Sequence, residues 1–165
     1  MQPSAYYSAT FVDISNYNMN LAFETLSIEV INSWFPPLPT GVTSSTKQDN
    51  ISWNYSYNLE SGLYIEELDF DLVGITITIS LVEENIYEPD PICSLQLKTM
   101  FKVTGSLPVE YKLHILQVFL GICVGQAQGI YVAKNENNYL AKTMPPMFDT
   151  SSREDELLTL IETEW

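Results

Sequence analysis

Apolar and polar residues alternate with a period of two along much of the chain before residue 104, as they do in half-buried β-strands. We predict four strands: one within residues 10–31, one over 51–59, one over 67–84 and one ending near Val103. In the third, the apolar residues from Val73 to Leu81 alternate with glycine, threonine and serine. This pattern indicates an antiparallel sheet with one face in the core and one polar face.

From Leu107 onward the apolar period changes to that of a helix. One helical face collects Leu113, Leu116, Leu120, Val124, Ala127 and Tyr131. Further apolar residues extend this surface around the helix, so the predicted helix over 107–133 is too apolar for one sheet to cover. We therefore expect a homodimer or homotetramer. The expected interface residues are Leu113, Leu116, Leu120 and Val124.

The C-terminal segment predicts a second, shorter helix. Ser152 precedes an acidic run at 154–156, which suits a helix N-terminus through capping and through the helix dipole. The order of elements indicates an α+β fold, in which a four-stranded antiparallel sheet packs against a long helix and a short C-terminal helix follows. We assign residues 1–165 to a single domain that ends in an acidic helix over 150–165.

The chain is strongly acidic, because seven Lys and Arg stand against 21 Asp and Glu, giving a formal net charge of −14. Such a surface repels nucleic acid and anionic lipid, since the electrostatic contribution to binding has the wrong sign. It attracts basic partners instead. The alternative is that the charge serves only to keep the protein soluble.

The residues that commonly carry catalysis or bind metals are sparse. The only histidine, His114, lies on the predicted helix without a clear acid–base partner, and Cys93 and Cys123 are too far apart for a CxxC motif. We interpret the cysteines as buried, reduced thiols, and the carboxylates between Glu66 and Asp71 as a solvated face. The sequence therefore predicts a protein without enzymatic activity, metal or nucleotide cofactor.

The N-terminal residues lack the basic and apolar regions of a secretory signal. The most apolar stretch, residues 113–124, is shorter than the roughly 20 residues that a membrane-spanning helix needs. We therefore expect a cytoplasmic protein that does not insert into membranes.

Several segments resemble the SecB export chaperone family. Residues 68–80 and 91–105 are similar to the family's central hairpin. Shorter likenesses, to the family's first strand, second strand, helix end and proline-containing exit, lie at 17–24, 51–59, 125–134 and 140–149. The resemblance covers roughly residues 10–149. It implies dimers that assemble into tetramers and an ATP-independent holdase that binds unfolded or preprotein polypeptides, for Sec-type export or for one dedicated client.

The resemblance also implies a docking surface for the SecA motor, which in the family is acidic and lies on strands one and four. Glu24 and Ile92 are the corresponding residues here, while Asn20 and Ser94 stand where the family has carboxylates. The long helix departs from the family pattern as well, because Gln128 occupies a position that usually holds arginine.

For the client-binding surface we expect aromatic and thioether side chains, which adapt to many sequences. The candidates are Trp34, Phe35, Trp53, Tyr55, Phe101 and Met147. The alternative is that part of this set fills the core. A different function also fits the composition: an acidic interaction or inhibitor protein that mimics nucleic acid. Such a mimic needs carboxylates at phosphate-like spacing over one face, whereas the sequence scatters them.

Overall fold

The computed structural model describes residues 22–35, 51–65, 70–83, 91–104, 107–135, 144–146 and 149–165. Its strands and α-helices are β1 (Ala22–Trp34), β2 (Ile51–Ile65), β3 (Phe70–Glu83), β4 (Cys93–Thr104), α1 (Val109–Asn135) and α2 (Glu154–Glu164). A 3-10 turn, Ser151–Arg153, leads into α2. The predicted third strand and long helix therefore agree with the structure to within a few residues.

Two strand predictions need correction. β2 continues past Leu59 to Ile65, and β1 extends to Trp34 rather than ending at residue 31. The predicted strand residues 10–21 lie outside the described residues. The extensions follow from pairing, because Trp34 is held opposite Ser94 of β4.

The four strands form one antiparallel sheet in the order β1-β4-β3-β2. The central strands β3 and β4 pair without interruption from Phe70 opposite Thr104 to Leu81 opposite Cys93. β1 and β2 form the two edges. The predicted α+β architecture, with four antiparallel strands, a long helix and a short C-terminal helix, is thus confirmed.

The alternation in β3 and β4 gives the sheet two faces. One side of each strand is buried beneath α1, which we call the core face, and the other is half-exposed, which we call the outer face. Thr99 is the polar exception in the buried row of β4. Its hydroxyl donates to Oε1 of Gln126 on α1 at 2.9 Å, which satisfies the buried group.

The core is centred on the contact between β4 and the middle of α1. Phe101 stacks on Phe119 with ring centroids 3.9 Å apart, and Phe23 meets Phe119 edge-on at 5.2 Å. All three side chains are buried. These rings join the edge strand β1 to the helix through a single aromatic cluster.

The apolar face of α1 is buried by the sheet of the same chain. Leu116, Leu120 and Val124 have almost no exposed surface, and Leu113 is partly buried against the same core. The first three are therefore core residues, and their assignment to a subunit interface is wrong. Their spacing was read correctly as one helical face, but that face packs inward.

The helix α1 is longer than the apolar stretch at 113–124 that the sequence emphasised. It has 27 residues, and by length and composition alone it could cross a membrane, although 44% of its most apolar window is buried inside the subunit. A core helix of a soluble protein passes the same test. α1 packs on both central strands.

The short helix α2 packs against α1 and β2 through Leu157 and Ile161. The predicted cap is wrong, because the residue before the helix is Arg153 and no side chain caps the first turn. The hydroxyl of Ser152 instead donates to the carbonyl of Asp149 at 3.2 Å. The acidic first turn is present as predicted.

Trp165, which directly follows α2, contacts both β3 and α1. Nε1 of Trp165 donates to Oδ2 of Asp71 on β3 at 2.9 Å. Nζ of Lys112 on α1 donates to the Trp165 carbonyl at 2.7 Å and lies 5.2 Å from the indole centroid. Asp71 is buried, so its predicted place on a solvated acidic face is corrected.

Truncating Phe101 to alanine should cost about 3–5 kcal/mol of unfolding free energy, because it opens a cavity between β4 and Phe119. Urea denaturation measures the loss. Val109→Ala, at an exposed position on α1, is the control and should change stability by less than about 0.5 kcal/mol. A similar loss in both variants would contradict the central role of the ring stack.

Replacing Trp165 with phenylalanine should cost about 1–3 kcal/mol, since the buried Asp71 carboxylate loses its indole donor. The matched variants are Asp71→Ala, which removes the acceptor, and the double variant. Because the two residues interact directly, the costs of the single changes should not add in the double variant. Additive losses measured by urea unfolding would show that the contact contributes nothing.

Candidate functional site

The second half of β1 is an apolar edge. Five of its side chains are between 36% and 49% exposed: Leu26, Ile28, Val30, Ile31 and Trp34. Among the described strands, β1 pairs with β4 alone. Large apolar residues on an exposed edge strand form an adhesive surface, because unpaired backbone groups and apolar side chains lie side by side. We call residues 26–34 the apolar edge.

Two register shifts in β1 place Leu26 and Ile31 outside the regular pairing with β4. The pairing with β4 is interrupted between Thr25 and Ser27 and again between Val30 and Asn32, which leaves Leu26 and Ile31 as extra residues. Such bulges twist an edge strand away from the sheet. Ile28 lies opposite the fully buried Thr99 and so lies on the core face, yet it is exposed because the cover given by α1 stops short of this edge.

A cleft lies at the opposite edge of the sheet. It has a volume of about 350 Å³ and is lined by Trp53, Asn54, Tyr55, Pro146, Asp149, Ser152 and Arg153. The phenol of Tyr55 donates to the Pro146 carbonyl at 2.6 Å. This bond joins β2 to residues 144–146, which we call the proline segment. Burial raises the pKa of Tyr55 to about 12. The phenol therefore stays protonated and remains a donor.

Gln128 holds the same proline segment from the other side. Its Nε2 donates to the carbonyl of Pro145 at 2.9 Å and lies 3.4 Å from that of Pro146. Sequence reasoning noted Gln128 only as a departure from a family pattern and missed this contact. A carboxamide provides a neutral N–H donor to these carbonyls from within α1.

An aromatic cluster joins the core face to the cleft. The ring of Tyr131 lies 5.1 Å from that of Trp53, edge-on, and 6.2 Å from that of Phe35. The indole N–H of Trp53 is buried and has no hydrogen-bond acceptor among the described residues. Trp53 belongs to this cluster and also lines the cleft.

The structure divides the predicted client-binding residues into separate groups. Trp53 and Tyr55 share the cleft, and Phe35 lies near them through Tyr131. Trp34 lies opposite Ser94 and therefore on the outer face, away from this group.

The remaining predicted client contacts are Phe101 and Met147. Phe101 is fully buried in the core, so its assignment to a binding surface is wrong. Met147 lies outside the described residues. Alternation along β4 placed Phe101 on one face of the strand correctly, but that face lies under α1.

The two predicted docking residues lie at opposite ends of the sheet. Glu24 is exposed and stands opposite Lys102, whereas Ile92 is partly buried just before β4 begins. At about 3.4 Å per residue, the two positions are roughly 34 Å apart along the strand. A cross-strand lysine also offsets the charge of Glu24, so the described part of β1 and β4 does not form an acidic surface.

The outer face has its own ion pair in the middle of the sheet. Lys98 on β4 bonds Glu60 on β2 across β3, and Oγ1 of Thr76 donates to Glu60 at 3.2 Å. The hydrogen bond from Lys98 lowers the pKa of Glu60 below its ordinary value. Within the part of the chain that the structure describes, no three His, Cys, Asp or Glu side chains are grouped to hold a metal ion.

The two cysteines are free and buried, as the sequence predicted. Burial raises the pKa of both Cys93 and Cys123 to about 11. At neutral pH both are protonated thiols with little nucleophilic character. They behave as small core side chains.

No protein-family model and no curated protein sequence matches the chain.

The raised thiol pKa values predict a loss of stability at alkaline pH. The folded chain holds these protons more tightly than the unfolded chain, whose thiols titrate near pH 8.5. The stability they contribute is complete below that pH and is lost as the pH rises toward about 11. Urea unfolding at several pH values measures the slope. A Cys93→Ala/Cys123→Ala variant should show a shallower slope, and an unchanged slope would contradict the assignment.

Proposed function

We propose that the chain is a subunit of an ATP-independent holdase that binds unfolded or preprotein polypeptide, in the manner of the SecB export chaperones it resembles. The observation that carries the proposal is the apolar edge. Five exposed large apolar side chains on an edge strand suit an extended, apolar client segment. Such a segment adds a strand through main-chain hydrogen bonds and places alternate side chains on the apolar surface.

The cleft at the other edge supports the same function. Trp53 and Tyr55 give it a flat aromatic wall, and its size suits a short stretch of extended chain. The apolar edge and the cleft then hold different parts of one long client.

The charge favours particular clients. With a net charge of −14, the surface attracts basic segments. Holding by mass action needs only that the client's unfolded state binds better than its folded state. The proposal therefore includes a cytoplasmic, homo-oligomeric protein without nucleotide or metal.

Docking to the SecA motor through Glu24 and Ile92 is not part of this proposal, because these residues do not share a surface. The alternative of an acidic nucleic-acid mimic has less support. Two β1 carboxylates stand opposite lysines in the sheet, Glu24 opposite Lys102 and Glu29 opposite Lys98. Such pairing breaks the continuous negative charge that mimicry requires.

Val30→Lys tests the apolar edge, since a charge at this position opposes apolar binding and lysine on an edge strand discourages strand addition. Suppression of the aggregation of reduced lysozyme, a basic client, is the measurement. The variant should bind about tenfold more weakly, which corresponds to about 1.4 kcal/mol. The matched control is Val109→Lys, which makes the same substitution at an exposed position on α1, outside the apolar edge and the cleft.

The control should suppress aggregation as well as the unaltered chain does. Equal activity of Val30→Lys and the unaltered chain would remove the apolar edge from the site. No suppression by the unaltered chain, even in molar excess over lysozyme, would overturn the proposed function itself.

A further inference from the structure

The proline segment is held by side chains rather than by a backbone ladder. Proline has no N–H, so Pro145 and Pro146 offer only their carbonyls for hydrogen bonding. Tyr55 on β2 donates to the Pro146 carbonyl at 2.6 Å, and Gln128 on α1 donates to the Pro145 carbonyl at 2.9 Å. Among the described residues, the segment has no backbone hydrogen bond to another element. Its attachment therefore depends on a phenol, a carboxamide and the packing of its rings.

This attachment has the features by which proteins recognise polyproline ligands. In that mode of binding, an extended segment that is already preformed docks on an aromatic surface and loses little conformational entropy. Trp53 and Tyr55 stand two residues apart on β2 and therefore on the same side of the strand. Pro145 is buried and Pro146 is exposed. We call Trp53, Tyr55 and Gln128 the Tyr55 wall.

The proline segment covers only part of the Tyr55 wall. The cleft of about 350 Å³ is lined by Pro146 as well as by Trp53 and Tyr55, so part of each aromatic side chain faces open space. Ser152 and Arg153 add polar side chains to the lining. A cleft of this size accommodates a small ligand or a few residues of extended chain. A segment longer than residues 144–146 can therefore contact the wall and the cleft together.

We infer that the Tyr55 wall is a binding site for extended, proline-containing polypeptide, and that the proline segment of the same chain occupies it as an internal competitor. An external segment displaces the proline segment, accepts hydrogen bonds from Tyr55 and Gln128 through its own prolyl carbonyls, and extends into the cleft. As a statement about clients, this inference rests on the proposed function and names the client class that the cleft selects. Its test uses a short peptide and no aggregating protein.

The internal competitor sets how tightly an external segment binds. A site that is open for only a fraction of the time has a dissociation constant raised by the inverse of that fraction. Substitutions that weaken the proline segment raise the open fraction and therefore tighten external binding. Substitutions in the wall weaken the internal and the external segment alike. The two kinds of variant thus have different effects, which a merely structural strap would not produce.

The probe is a fluorescein-labelled, end-blocked peptide of the chain's own residues 143–148, and fluorescence anisotropy measures its dissociation constant. The Pro145→Ala/Pro146→Ala chain keeps both carbonyls but loses the preformed backbone, so it should bind the peptide about tenfold more tightly than the unaltered chain does. Pro146→Ala alone, at an exposed position, should act in the same direction and replaces the double variant if that chain is unstable. A peptide with alanine in place of both prolines should bind about tenfold more weakly.

The wall is tested in the Pro145→Ala/Pro146→Ala chain, where loss of a wall contact is not offset by a weaker internal competitor. Adding Tyr55→Phe should weaken peptide binding about tenfold, because a carbonyl of the peptide loses its donor. The matched control adds Tyr111→Phe, which removes a phenol hydroxyl near the other end of α1. This control should leave the affinity for the peptide unchanged.

Equal affinity of the unaltered and the Pro145→Ala/Pro146→Ala chains would overturn the inference, as would equal affinity for the proline and alanine peptides. An unchanged affinity on adding Tyr55→Phe, or no binding at millimolar peptide, would also overturn it. Suppression of lysozyme aggregation by a chain that does not bind the peptide would remove this inference and leave the proposed function. Peptide binding by a chain that does not suppress aggregation would support the binding site and remove the proposed function.

Discussion

The packing of one helix on the two central strands is the constraint on which the rest of the structure depends. α1 covers β3 and β4, and its contact with them is anchored by the stacked rings of Phe101 and Phe119. A helix is about 10 Å wide, whereas four strands at about 4.8 Å spacing span nearly twice that width. One helix therefore leaves the outer strands incompletely covered. The two edges of the sheet differ in what covers the outer strand.

At the β2 edge, the chain supplies its own cover. α2 packs beside α1 through Leu157 and Ile161, and Trp165 joins it to Asp71 and Lys112. The proline segment closes the remaining space through carbonyls bonded by Tyr55 and Gln128. What is left open is a cleft with aromatic and polar walls. At the β1 edge the described residues provide no such cover, and apolar side chains stay exposed.

The same geometry separates two roles that one apolar helix could have combined. The side of α1 that faces the sheet is buried in the core. Binding and assembly therefore use other surfaces of the subunit. The apolar edge and the cleft carry the proposed holding of polypeptide.

The sequence alone determined the elements and the faces of the central strands, because periods of two and of 3.6 are local properties of strand and helix geometry. It predicted β3, β4 and α1 and the burial of both thiols. It did not determine what covers each face. Leu120 and Phe101 belong to correctly recognised apolar faces, yet only the packing of α1 on the sheet shows that both are core.

Tertiary structure alone decided the composition of the candidate site. Tyr55 and Pro146 are 91 residues apart, and Trp165 and Asp71 are 94 apart, so no local pattern relates them. Periodicity fixes the spacing of side chains along an element, whereas burial depends on neighbours that are distant in the chain.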